Sequence, residues 1–123
     1  MRPRKPVEWI GSSLDDLRTF AKEVRRVMGQ AIDDAQLGAE HPAAKAMRGF
    51  AGRSVLEVVE DYRGDAYRAV YTVKFPAVVY VLHAFQKKSK RGITTPQHEI
   101  DLIRERLRRA EQHYRAQYGK ASR

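Results

Sequence analysis

Lys87, Lys88, Lys90 and Arg91 stand together in "HAFQKKSKRG", residues 83–92, and Arg68 lies inside "AYRAVY", a run that otherwise suits a strand. If those two strands pair, cations at the end of one and in the middle of the other can meet at a single anion. A phosphate is the anion that fits. A phosphodiester is cut without a metal when its own 2′-hydroxyl attacks. The protein must then orient the ribose, stabilise the added charge on the pentavalent phosphate and assist proton transfer. Fixed cations serve the second need, each worth ~10²–10³ in rate. His83, or a lysine of lowered pKa, could serve the third. The same residues also admit a plain structural reading. Arg68 could snorkel from an edge, residues 87–91 could be a solvated turn ending an apolar strand, and His83 could be a packed strand residue.

Other chemistries find no footing in the sequence. There is no cysteine, hence no thiol nucleophile, disulfide framework or cysteine-based zinc site. No Gly-x-Ser-x-Gly and no glycine-rich phosphate loop occurs. His41, His83, His98 and His113 lack the spacing of a metal pair, so neither metal nor cofactor is expected. Asp33 and Asp34 are adjacent and so do not share a helix face. What the chain has in excess is positive charge: 24 Lys and Arg against 15 Asp and Glu give +9. Residues 1–86 are nearly balanced, with thirteen basic and eleven acidic groups, whereas residues 87–91 alone contribute four cations. Such a field draws polyanions, nucleic acid ahead of membrane, because no helix pairs a basic face with a large apolar one.

The elements that must hold these cations are legible in outline. At 123 residues and 42% hydrophobic content the chain suits one domain, 1–123, with its core over about residues 6–115. The longest nearly uncharged run, residues 75–85, is about half the ~20 residues of a membrane span, and no apolar signal segment follows the basic start. A cytoplasmic protein with no membrane partner is expected. "PVEWI" reads as an N-terminal strand, proline-opened and suited to a sheet edge. Leu14, Leu17, Ala21, Val24, Met28, Ala31 and Ala35 step by three and four, which predicts a helical hairpin or bent helix over 13–37, divided at Gly29 or near Lys22. Residues 41–53 read as a loop. Strands are predicted over 55–62, 66–73 and 77–85, joined by short turns into an antiparallel meander with the third strand central. Thr95 and Pro96 mark a helix start, with Thr95 as the cap, and Ile100, Ile103, Leu107, Ala110 and Tyr114 form one apolar face. The expectation is an α+β fold: a small antiparallel sheet, N-terminal strand plus three-strand meander, with helices on one side.

Over residues 55–107 the succession of these segments resembles the RelE/ParE toxin superfamily, nearest its phage-related HigB-like branch, and with the upstream segments "WIGSSLDDLRTFAKEVRRVMGQAIDDAQLG" and "HPAAKAMRGF" the resemblance covers about residues 6–115. The marks are Tyr67, Arg68 and Tyr71; His83, Phe85, Lys87 and Lys88; and Thr95, Pro96, Glu99 and Ile100. The resemblance implies a RelE-like fold and the toxin half of a type II toxin–antitoxin system. It further implies a ribosome-dependent mRNA endonuclease that inhibits translation and is held inactive by a helix-turn-helix antitoxin. By that carry-over Arg68 binds the scissile phosphate, Lys87 and Lys88 join it, His83 is a proton-transfer or orienting group, and Lys90 and Arg91 bind nucleic acid. The chain departs from the pattern at Val59, where many relatives carry a cation, and no residue of the C-terminal helix matches RelE's catalytic tyrosine. Two other readings stand beside this one: a non-enzymatic ParE-like inhibitor of a protein such as DNA gyrase, and a basic nucleic-acid-binding accessory.

Overall fold

The Val- and Tyr-rich stretch after residue 54 forms the frame on which everything else is hung. The structure, a computed structural model, describes residues 3–87 and 95–119. Strands β3 (Val55–Tyr62), β4 (Asp65–Thr72) and β5 (Val79–Lys87) pair antiparallel in sequence, as the alternation and short turns predict. The turn between β3 and β4 holds Arg63 and Gly64, both at positive φ. Two short strands extend this meander: β1 (Val7–Trp9) at one edge and β2 (Ala44–Ala46) at the other, in the order β1-β5-β4-β3-β2. β4, not β5, is therefore the middle strand. β1 runs parallel to β5, pairing Val7 with Val79 and Trp9 with Val81, so the sheet is mixed rather than wholly antiparallel. β2 arises inside the segment expected to be a loop. Its three residues are too few to show an alternation, and it exists because Ala44 and Ala46 pair with Val58 and Leu56.

Two helices, α1 (Ser13–Arg18) and α2 (Lys22–Gln36), fill the predicted helical region. The break falls at residues 19–21, next to Lys22, while Gly29 stays inside α2 on its exposed side. Val24, Met28, Ala31, Ile32 and Ala35 are buried and pack against Leu56, Val58, Tyr71 and Val81. The last helix, α3 (Gln97–Tyr118), covers the opposite face of the sheet, burying Ile103, Ala110 and Tyr114 against Val70, Phe75, Tyr80 and Leu82. Helices thus cover both faces, not one. The reason is visible in β5: Val79, Tyr80, Val81 and Leu82 are all essentially inaccessible, and a continuous apolar run needs cover on both sides.

Two local features bear on the site. The register of β4 and β5 slips between Val70 and Tyr71, which leaves Leu82 without a cross-strand partner. Gly11, between β1 and α1, takes φ +58°, and a Cβ there would lie 2.9 Å from the Arg106 guanidinium. A Gly11→Ala substitution therefore meets both left-handed strain and a clash, and is expected to cost about 1–3 kcal/mol, read from urea unfolding.

Candidate nucleic-acid interface

Side chains alternate along a strand, so the register dictates which residues look toward α3. Val59, Arg68 and Phe85 lie in one cross-strand row and Glu57, Val70 and His83 in the next. Lys87 follows Phe85 by two residues, opposite Ala66, and so shares the face of Arg68 on the adjacent strand. Lys88, Lys90 and Arg91 lie outside the described residues.

Arg68 is only 6% exposed. Its Nη1 donates to Glu57 Oε2 at 3.1 Å, and more weakly to Thr95 Oγ1 at 3.4 Å. The arginine is neither an edge residue nor a snorkelling one: it is buried in the middle strand against a buried carboxylate. Thr95 does not cap α3, since Pro96 occupies the cap and no side-chain cap bond forms. Its hydroxyl serves Arg68 instead.

His83 stands one row away and has both ring nitrogens engaged. Nε2 lies 2.6 Å from Glu99 Oε1, and Nδ1 lies 3.3 Å from Arg106 Nη1. A guanidinium can only donate, so Nδ1 accepts and the ring proton sits on Nε2, directed at the Glu99 carboxylate. Burial lowers the His83 pKa below its ordinary value; Glu99 opposes that shift, and the Arg106 charge reinforces it. The imidazole is thus held neutral and fixed in orientation. Because the unfolded histidine takes a proton more readily than the folded one, stability is full above the unfolded pKa near 6.5 and is lost as pH falls through the window beneath it. His83→Gln keeps a donor for Glu99 and an acceptor for Arg106, and is expected to flatten this decline in unfolding free energy measured between neutral and mildly acidic pH.

Arg106 ties these parts to the rest of the fold. It is 7% exposed and donates to the Leu82 carbonyl at 3.0 Å, the group set apart by the register slip, and to Ser12 Oγ at 3.1 Å. Ser12 in turn donates to Asp16. Glu57, Glu99 and Arg106 were missed by sequence reasoning, yet each left a signal. Glu57 sits on an alternating strand between buried neighbours. Arg106 interrupts the apolar stripe between Ile103 and Ala110. Glu99 belongs to the helix-start motif without a stated role.

Beside Glu57 and Thr95 opens a cleft of about 440 Å³, lined also by Lys45, Arg48, Gln97, Ile100 and Arg104. The described tyrosines do not supply an acid to it. Tyr71 is buried on the α2 side, and burial pushes its hydroxyl up to about 12. Tyr80 is likewise pushed up to about 12 by burial and has its hydroxyl 2.7 Å from His113 Nδ1. Tyr114 packs on Phe75. Among the described residues no group of three His, Asp or Glu could hold a metal ion, and no helix is long and apolar enough to cross a membrane.

Comparison with known proteins adds family and fold. Residues 15–108 match the family described as "Phage derived protein Gp49-like (DUF891)". No curated protein sequence matches the chain. Among solved structures, a doubly substituted variant of Escherichia coli toxin RelE in the free state is 18% identical, with 86% of this chain and 97% of that one covered at a TM-score of 0.50. The RelBE2 toxin–antitoxin complex from Mycobacterium tuberculosis is 20% identical, with 72% and 97% covered at a TM-score of 0.46. With well over half of its length matched, the chain belongs to the phage-derived Gp49-like family, and its fold is similar to that of RelE.

Proposed function

We propose that this protein is the toxin of a type II toxin–antitoxin pair, acting in the cytoplasm as a HigB-like, ribosome-dependent mRNA endonuclease. The observation that carries the reading is the placement of Arg68 and Lys87 on adjacent strands, on one sheet face, beside a cation-walled cleft. In this reading the 2′-hydroxyl of the RNA attacks its own phosphate. Arg68 and Lys87, joined by Lys88, stabilise the charge that accumulates, which is the step where fixed cations contribute most. Lys90 and Arg91 hold the flanking backbone. His83 acts by orientation: its two hydrogen bonds tie Glu99 and Arg106 of α3 to β5, and both nitrogens are engaged. The Glu57 carboxylate holds Arg68 extended and must share it with the incoming phosphate. A helix-turn-helix antitoxin is the partner that would neutralise the site.

A second reading has its own observation. Glu57 already pairs with Arg68, and Val59, directly across from Arg68, supplies no cation. A scaffold so arranged suits a non-enzymatic inhibitor of a protein target such as DNA gyrase. Purified protein added to a translating extract separates the two. New mRNA ends within translated codons, absent when translation is blocked, are expected. Inhibition of gyrase supercoiling with no new mRNA ends would overturn the nuclease reading.

A further inference from the structure

The cleft beside the Arg68–Glu57 pair has a wall that nuclease chemistry does not itself require. Arg104 lies over the Phe50 ring, with its Cζ 4.7 Å from the ring centroid, and its Nη2 donates to the Gly49 carbonyl at 2.9 Å. Gly49 takes φ +94°, and a Cβ there would sit 3.3 Å from Arg104 Nη2, so glycine is what lets the guanidinium come so close. Arg104 is exposed and lines the cleft, so its guanidinium is accessible to a stacking partner there. Lys45 and Arg48, both exposed, line the same cleft. Lys45 is the cross-strand neighbour of Glu57, so the cleft runs directly into the Arg68 site.

We propose that this cleft binds a nucleotide of single-stranded RNA adjoining the one that is cut, its base stacked on Arg104 and its phosphate held by Lys45 and Arg48. The inference rests on the nuclease reading and names how its substrate is held. The volume falls within the ~300–1,000 Å³ usual for small-molecule sites. Stacking on a planar cation tolerates any base, while the other cations of the cleft need only a phosphate. An acidic peptide would satisfy the cations but would have no use for a guanidinium anchored over a ring and to the Gly49 carbonyl, and for that reason RNA is the favoured ligand.

The test is fluorescence anisotropy with a short, fully 2′-O-methylated RNA, which cannot be cleaved because its nucleophile is blocked. Arg104→Ala is expected to weaken binding about tenfold. Arg104→Lys, which keeps the charge and loses the flat face, should recover only part of that, and Arg115→Ala, exposed near the far end of α3, should change nothing. Arg48→Ala should reduce the slope of log affinity against log salt by about 0.7. Equal RNA binding by wild type and Arg104→Ala, or no binding by wild type, overturns the proposal. So does loss of binding to a glutamate-rich peptide with RNA binding intact. Mapped mRNA ends that still depend on Arg68 in any of those cases would leave the nuclease reading standing and remove only this subsite.

Discussion

Arg68→Ala is expected to lower mRNA cleavage by ~10²–10³-fold, the loss seen when a fixed electrostatic stabiliser is removed, and to destabilise the fold as well. The second effect follows from burial. Arg68 and Glu57 have side chains 8% and 9% exposed, and deleting one leaves the other as an uncompensated charge, at a cost of about 3–5 kcal/mol. The two effects separate in a double variant. Arg68→Met with Glu57→Leu removes both charges and refills the volume, so unfolding free energy should return most of the way to wild type. Cleavage should not return, because no carbon side chain stabilises a phosphorane. Stability measured by urea and cleavage measured in the translating extract therefore move apart. Recovery of both together would make Arg68 a structural residue.

Arg106→Leu is the second large effect, and it is one of stability. The substitution strands the Leu82 carbonyl, takes one partner from the exposed Ser12 hydroxyl and removes the donor that fixes the His83 tautomer. Bonds to a charged donor are worth about 1.5–3 kcal/mol each and are not additive within one network. A loss of roughly 3 kcal/mol is expected, which lowers Tm by roughly 10 °C in a domain of this size. Arg106→Lys should recover little, since an ammonium on a flexible stem cannot meet two acceptors on β5 and a third at Ser12 as a rigid guanidinium does. Calorimetry of both variants checks this; a Tm within a degree or two of wild type for either would contradict it.

How far the sequence reveals all this depends on which interactions are local. The meander is legible because alternation and two short turns lie within the strands themselves. So is α3, whose apolar stripe runs at a strict helical period. β2 is not, because three residues such as Ala44, Lys45 and Ala46 carry no period and take their shape from β3. The parallel docking of β1 is equally non-local: it depends on an edge of β5 seventy residues away. In the site, Arg68 and His83 stood out as residue types that a buried strand rarely holds. Their partners did not, since Glu57 and Glu99 resemble the many carboxylates of a soluble surface until the fold places them against those cations. His83 shows the limit most clearly. Its type suggests proton transfer, and only the positions of Glu99 and Arg106 reveal that both nitrogens are already used.

The claim on which the account turns is that Arg68 and Lys87 act on one phosphate. The direct measurement is a double-mutant cycle on kcat/KM for cleavage of ribosome-bound mRNA, using Arg68→Lys, which keeps a counter-charge for Glu57, together with Lys87→Ala. Groups that share one developing charge are non-additive, so each single change should lower the rate and the pair should lose clearly less than the product of the two. Losses that multiply without coupling, or a Lys87→Ala rate equal to wild type, would contradict a shared phosphate.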